Sequence, residues 1–204
     1  MNRPDLIALT PDDLAALANR GLVKRAQKEC ESGDLSAQWL EDDDGTIEAR
    51  WSDGVTCILP GGKTLKEASC DCPAIELCRH VLRTVLAWQT QQTASDETLP
   101  AVWNPARITD GMVEAQTNKA TRDRAKLLWN QGILAELLCA VKPSARFHCP
   151  GHTVRFPVPD DLRYAQCSCS DPAPCAHAVM AVQAFRLLPP DRLSGYCRRG
   201  GGDP

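Results

Sequence analysis

Features that define several common classes of protein are missing from this 204-residue sequence. It has no run of 18 apolar residues, so we expect no membrane-spanning helix and no membrane partner. Residues 1–6 lack the apolar stretch of a secretory signal peptide. Taken with the cysteine spacing described below, this predicts a cytoplasmic protein whose 11 cysteines are reduced rather than paired in disulfides.

The motifs of several enzyme classes are also missing. The sequence has neither the H-E-x-x-H motif of one class of metalloproteases nor the H-x-E and P-C-x-x-C motifs of deaminases. It has no glycine-rich phosphate loop, because the glycines at 200–202 follow no predicted strand. We therefore expect no catalytic residues, no enzyme activity and no small-molecule substrate.

A strong excess of one charge is absent as well. The net charge is −3, with −7 in residues 1–97 and +4 in residues 98–204. Neither half is basic enough to indicate a general nucleic-acid binder. The modest excess in the second half is most simply an ordinary solvated surface.

What the sequence does contain is a cysteine and histidine motif that occurs twice. Each copy has the spacing C-x-C-x5-C-x-H, and the copies lie 97 residues apart. Three thiolates and one imidazole are a complete ligand set for a tetrahedral Zn²⁺ ion, and such a site leaves no position for a reactive water. We therefore expect two structural zinc ions, one per copy. The predicted ligands are Cys70, Cys72, Cys78 and His80 in the first copy and Cys167, Cys169, Cys175 and His177 in the second.

The spacing also predicts the backbone around the ligands. In an extended segment residues i and i+2 point to the same side, so Cys70 and Cys72 can bind one ion. On a helix the same two residues would lie about 200° apart. Cys78 should therefore precede a helix and His80 should lie in its first turn, where the positive end of the helix faces the thiolates.

The motif is part of a longer internal repeat. Residues 54–88 align without gaps with residues 151–185, and residues 10–35 align with residues 109–134. A duplicated unit of roughly 80 residues is the simplest explanation. The predicted domains are a first zinc-binding unit over residues 1–94, a second over 95–190, a linker near 89–108 and a flexible tail over 191–204.

Each unit is predicted to begin with a helix, to continue as a β-meander of about three strands, and to end, after the zinc knuckle, with a closing helix. Thr10 opens the first helix, and Gly33 and Gly132 are placed to end the helices with a left-handed cap. Apolar residues at helical spacing follow each motif. The predicted fold class is therefore α+β. Alternating apolar and polar residues predict strands near 35–39, 47–51, 55–59, 145–147 and 153–158.

The remaining cysteines receive separate interpretations. Cys149 and His152 are alternative donors near the second motif, although the first unit has no counterpart of them. Cys197, in the predicted tail, is expected to be an exposed thiol. Three others are interpreted as small buried apolar residues: Cys30, Cys57 and Cys139.

The two motifs, with the strands before them and the helix after them, resemble the SWIM-type zinc finger, whose pattern is C-x-C, a variable spacer, and C-x-H. The resemblance covers most of each unit, and the second unit is similar to bacterial tandem SWIM proteins. It implies a structural zinc and a role in binding DNA or other proteins. SWIM modules accompany helicase-like ATPases, transposases and ubiquitin ligases, so the resemblance implies a protein partner, for example an ATPase or helicase-like protein.

Two hypotheses for function remain open. The first is a protein-interaction adaptor or accessory subunit, in which two zinc-stabilised units present strand edges and helix faces to a larger protein. The acidic first half and the missing catalytic motifs favour it. The alternative is a DNA-binding or other nucleic-acid-binding protein, in which Arg146, Arg155 and Arg163 of the second unit contact phosphates.

Overall fold

The computed structural model describes residues 3–93, 101–149 and 151–200. The chain divides into two compact units, Met1–Leu99 and Pro100–Pro204. Both units combine helices with antiparallel strands, which confirms the predicted α+β class and the duplicated unit. Within the described ranges, no helix has the length and hydropathy needed to cross a membrane.

The first unit consists of three helices, a four-stranded antiparallel sheet and a closing helix. Its elements are α1 (Pro4–Ala8), α2 (Pro11–Leu17), α3 (Arg20–Ser32), β1 (Ala37–Glu41), β2 (Ile47–Trp51), β3 (Thr56–Leu59), β4 (Ser69–Cys70) and α4 (Arg79–Thr93). The strands pair in the order β1-β2-β3-β4, which is a meander in which each strand pairs with the next along the chain. The three predicted strands all form, and a fourth, very short one carries the first cysteine of the motif.

The opening helix of this unit is interrupted, although the sequence analysis predicts one helix from Thr10 to Gly33. Thr10 caps α2 as expected, because its side chain accepts a hydrogen bond from the backbone N–H of Asp13. The break follows because Asn19 starts a new helix, its side-chain oxygen accepting a hydrogen bond from the N–H of Leu22 at 2.9 Å. Gly33 ends α3 in the left-handed conformation, with φ of 69°.

The second unit repeats this plan and adds a strand. Its elements are α5 (Asp110–Gln116), α6 (Lys119–Asn130), β5 (Ile133–Leu138), β6 (Ser144–Cys149), β7 (Thr153–Arg155), β8 (Gln166–Cys167), α7 (Ala176–Phe185) and β9 (Ser194–Arg199). The sheet order is β8-β7-β6-β5-β9, with all pairs antiparallel. The predicted strand over 153–158 ends early, at Arg155, since Pro157 and Pro159 have no N–H to donate to a ladder.

The flexible tail predicted for residues 191–204 is replaced, over Ser194–Arg199, by strand β9. This strand pairs along the whole of β5, from Ile133 opposite Arg199 to Leu138 opposite Ser194. Cys197, expected to be exposed, is instead only 5% exposed and belongs to the core of the second unit. Its short, largely polar sequence gives β9 no apolar alternation of its own, so the strand depends on β5 as a template.

The predicted linker also contains ordered structure on both sides. Helix α4 continues to Thr93, and residues 94–100 lie outside the described part of the chain. Trp103 belongs to the second unit, because its backbone N–H donates to Ala140 and its indole N–H donates to Val141, both at 3.1 Å.

The closing helices pack on the sheets through the apolar stripes that the sequence predicts. In α4 the buried apolar residues are Val81, Leu82, Val85 and Trp88, and in α7 almost every residue is buried. Trp51 and Phe147 are core residues, as their positions on β2 and β6 predict. Each closing helix therefore packs against its sheet along its length, and its first turn carries the histidine that ends the motif.

Candidate metal centres

The first cluster forms where β4 ends and α4 begins. Cys70 is the last residue of β4, and Cys72 follows in the turn. Cys78 directly precedes α4, and His80 is the second residue of that helix. The donor atoms of these four residues all lie within 4.8 Å of one another. The predicted arrangement, an extended pair followed by a helix start, is therefore the one observed.

The distances within the first cluster fit a tetrahedral zinc ion. The Nδ1 atom of His80 lies 3.7 Å from the Sγ of Cys70 and 4.0 Å from the Sγ of Cys78. Zinc bonds of about 2.3 Å to sulfur and about 2.0 Å to nitrogen place the two donors about 3.6 Å apart at the tetrahedral angle. The donor set thus has both the chemistry and the size that Zn²⁺ requires.

The second cluster has the same construction. Cys167 ends β8, Cys175 is the N-cap residue of α7, and His177 is the second residue of that helix. These residues and Cys169 also bring their donor atoms within 4.8 Å of one another. Among the described residues, the buried Nδ1 of His177 has no hydrogen-bond partner. A bound metal ion would satisfy this nitrogen, whose counterpart in His80 faces the thiols of the first cluster.

The thiols of the second cluster hydrogen-bond to one another. Hydrogen bonding with Cys167 lowers the pKa of Cys175 to about 5, and the backbone N–H groups of Ala178 and His177 at the start of α7 act in the same direction. The same contact, together with burial, raises the pKa of Cys167. The two sulfurs therefore share a proton when no metal is bound, and a cation that binds between them displaces that proton.

In the first cluster, too, the pKa values of two cysteines shift in opposite directions. Burial raises the pKa of Cys70, whereas a hydrogen bond from the backbone N–H of Ala74 lowers the pKa of Cys72. Burial also lowers the pKa of His80, which keeps the imidazole in the neutral form that binds metals. A thiol with a lowered pKa beside an imidazole with a lowered pKa favours the binding of a divalent cation, because a metal ion binds the deprotonated form of both groups.

The alternative donors near the second motif are not part of the cluster. The ring of His152 lies against the ring of His177, with a centroid separation of 4.3 Å, and its Nδ1 is 3.4 Å from the hydroxyl of Ser168. The side chain of Cys149 lies outside the described part of the chain. Of the described residues, only the eight predicted ones form clusters with metal-ligand geometry.

Cys57 is a neighbour of the first cluster that the sequence pattern does not distinguish. Cys57 is buried, as expected, but its Sγ lies 3.5 Å from the Sγ of Cys70. The signal in the sequence was its position within the repeat, because the aligned residue of the second unit is Val154.

Two knuckles that each bring three sulfurs and one imidazole together, between a β-meander and a helix, define a tandem zinc-finger protein. The family model of the SWIM zinc finger matches residues 55–89 and 153–185, and these two segments include all eight residues of the clusters. Zinc is the metal that both the family and the donor sets indicate. The assignment of individual residues as ligands stays a prediction.

The chain is also similar to Protein YehQ of Escherichia coli (strain K12). The two sequences are 42% identical over 190 residues, which is 90% of this chain and 29% of YehQ. The chain therefore spans less than a third of the length of this relative. No solved structure matches the chain.

Proposed function

We propose that each cluster holds one structural Zn²⁺ ion and that the chain is a non-catalytic protein-interaction adaptor or accessory subunit. All four donors of a cluster converge on one point, and a zinc ion with four protein ligands has no open position for a substrate or a reactive water. The zinc would fasten the turn after β4 or β8 to the start of the closing helix. The residues of each cluster would then have a structural role and would take no part in proton transfer.

The observation that supports an adaptor is the outer face of the second sheet. Residues that alternate with the buried ones along its strands lie on the face away from the closing helix, and most of them are exposed. The large and charged residues of this face are Leu134, Glu136, Leu138, Arg146, His148, Arg155, Tyr196 and Arg198. We refer to these eight residues as the outer sheet face.

The composition of the outer sheet face suits a protein partner. Tyr196 is 74% exposed, and two exposed leucines lie on the neighbouring strand. Tyrosine and arginine are among the residues that most often dominate the binding energy at protein interfaces. Arg146, Arg155 and Arg198 form no ion pair with a described residue, so they are available to acidic groups on the rim of an interface. We propose an apolar partner surface with an acidic border, carried by a protein such as the ATPase or helicase-like proteins that accompany SWIM modules.

A pull-down with matched variants tests this proposal. The tagged full chain is used to capture proteins from its native host, alongside Tyr196→Ser with Leu138→Ser as the interface variant. Leu127→Ser is the control, because Leu127 is similarly exposed but lies on α6, away from the sheet. We expect a partner that binds the wild type and the control and is lost from the interface variant. Equal capture by all three proteins would remove the outer sheet face from the proposal.

Elemental analysis tests the zinc sites separately. Protein purified under reducing conditions without chelator should contain two zinc ions per chain, one for each cluster. Cys72→Ser and Cys169→Ser should each reduce the content by one ion. A chain with no zinc, or with zinc that survives both substitutions, would contradict the assignment.

The alternative of nucleic-acid binding has one specific observation in its favour. Arg146 and Arg155 lie on the same side of the second sheet, where both are exposed. Arg163 does not join them in that role, because its guanidinium is paired with Asp161 at 2.7 Å. Phosphate contacts would make DNA binding fall steeply between 50 and 200 mM salt, by about 10³-fold for roughly six contacts. Absence of binding to duplex DNA at low salt would exclude this alternative.

A further inference from the structure

Two cysteines of the first unit face each other across neighbouring strands. Cys57 of β3 and Cys70 of β4 are direct partners in the antiparallel register, and their sulfur atoms are 3.5 Å apart. Directly opposite residues in such a pair have Cα atoms about 4.5–5.5 Å apart. A disulfide needs Cα atoms about 4.4–6.8 Å apart, so these two residues can be joined without moving the strands.

The roles of the two sulfurs differ. Cys70 belongs to the metal cluster and is partly exposed, whereas Cys57 is fully buried and is not one of the four converging donors. The hydrogen bond runs from the thiol of Cys57 to the sulfur of Cys70. An oxidant can therefore reach Cys70 from solvent, and a thiol is already in contact with the sulfur that would be oxidised.

From this geometry we propose that Cys57 and Cys70 form an oxidation-sensitive pair, whose conversion to a disulfide by a peroxide releases the zinc ion of the first finger. The zinc release rests on the proposed metal site, whereas the disulfide depends only on the two facing cysteines. The second finger has no such cysteine pair, because Val154 lies opposite Cys167 in the same register.

The chemistry needs one hydroperoxide and proceeds in two steps. The Cys70 sulfur, which is a thiolate when it binds zinc, attacks a peroxide oxygen, so that an S–O bond forms, the O–O bond breaks and hydroxide leaves, giving a sulfenic acid. The sulfur of Cys57 then attacks the Cys70 sulfur, and the S–S bond replaces the S–O bond. The departing hydroxide takes the proton of Cys57 and leaves as water. Both sulfurs are oxidised, and one peroxide is reduced to water and hydroxide.

Loss of the metal follows from the loss of a ligand. The sulfur of Cys70 carries no charge in the disulfide and no longer binds zinc, so three donors remain in the first cluster. The second cluster keeps all four, so the two fingers of one chain differ in their response to the same oxidant. A reductant together with zinc should reverse the change, because no atom other than the two sulfurs has been altered.

The test treats the zinc-loaded full chain with hydrogen peroxide and follows release with a colorimetric zinc chelator. We expect the wild type to release one of its two ions in a fast phase, and mass spectrometry after alkylation to find a disulfide between Cys57 and Cys70. Cys57→Val, which copies the second finger, and the smaller Cys57→Ala should both lose the fast phase. A fast phase that survives in both variants, or a disulfide between Cys70 and Cys72, would overturn the proposal.

A gain-of-function variant and a zinc assay complete the design. Val154→Cys places a thiol opposite Cys167 and should give the second finger the same fast release. Elemental analysis before peroxide is added separates the two proposals. If the chain holds no zinc, the metal assignment fails, and disulfide mapping still tests the pair. If it holds two ions and release is independent of Cys57, only the present inference fails.

Discussion

The two closing helices each carry the histidine of a metal cluster in the first turn, but they are built into their units in different ways. Helix α7 is apolar along its buried length, with Met180 and Ala181 in the core of the second unit. The aligned residues of α4 are Arg83 and Thr84, which are equally buried, Arg83 being only 1% exposed. One copy of the repeat thus supports its knuckle with hydrocarbon packing, and the other supports it with a buried charge.

The buried charge is held by contacts from three directions. The Nη1 atom of Arg83 lies 3.0 Å from a carboxylate oxygen of Glu29 on α3 and 2.9 Å from one of Asp53, which follows β2. Its guanidinium lies 4.0 Å from the ring centre of Trp51. The indole of Trp51 in turn donates to the hydroxyl of Thr84 at 3.0 Å. This network connects α4 to α3 and to the sheet.

The difference between the helices should affect how strongly the stability of each unit depends on single residues. A buried arginine is stable only while its partners remain in place, and the loss of one partner leaves an uncompensated charge in the core. Apolar packing tolerates small rearrangements, because its contacts are numerous and individually weak. We therefore expect the first unit to depend on its zinc ion and on single residues more strongly than the second.

The largest effect should come from removing one zinc ion at a time. Apparent binding energies in zinc fingers are about 10–16 kcal/mol, and a whole domain is stable by about 5–15 kcal/mol. Cys72→Ser should therefore unfold the first unit. Cys169→Ser should open the second knuckle but leave α7 and the β5–β9 pairing protected. Hydrogen exchange read by mass spectrometry distinguishes the units, and an intact first unit in Cys72→Ser would contradict the argument.

The next effect concerns the buried arginine itself. Arg83→Ala removes the partner of two carboxylates and should destabilise the first unit by about 3 kcal/mol. Arg83→Lys should recover only part of this, because an ammonium group cannot reach both carboxylates and stack on Trp51 together. Thermal unfolding at saturating zinc measures the loss of stability in both variants.

The control for Arg83 is Arg20→Ala. Arg20 pairs with Asp12 at 3.9 Å on the open surface, so its loss should change stability by less than about 1 kcal/mol. If Arg83→Ala proves as mild as Arg20→Ala, the network does not contribute to the stability of the first unit.

The features that the two units share, which are the metal clusters and the helix starts beside them, could be predicted from the repeated motif. The C-x-C-x5-C-x-H spacing was enough to predict that each set of four residues converges, because four ligands of one ion need an extended pair followed by a helix start. The role of Arg83 was hidden, since its partners Glu29 and Asp53 are distant in sequence and only the fold brings them together. The contact of Cys57 with Cys70 was hidden for the same reason, because it depends on strand register.

Strand β9 gives a further test of the difference between the two units, because only the second unit has a described strand in this position. Ending the chain at residue 190 exposes the edge of β5 and removes Cys197 from the core. With several ladder hydrogen bonds at about 1 kcal/mol each, partly replaced by water, we expect a loss of about 2–4 kcal/mol confined to the second unit.

Tyr196→Ala is the matched control for this truncation, as it changes an exposed side chain of β9 and leaves the backbone pairing intact. It should alter the free energy of unfolding by less than about 0.5 kcal/mol. A truncated chain with the unfolding midpoint of the full chain would mean that β9 adds nothing to the fold.

The smallest effect is expected where the two units are most alike. Asn19 and Asn118 each begin a helix by accepting a hydrogen bond from a backbone N–H three residues on, at 2.9 and 2.8 Å. Replacing either by alanine should cost about 1 kcal/mol, and replacing it by glycine only a few tenths, because the cap conformation suits glycine. Both caps lie on the surface, so the core that differs between the units does not contribute. Equal losses from Asn19→Ala and Asn118→Ala, measured by thermal unfolding, would locate the difference between the units in the cores, and unequal losses would show that it extends to the surface.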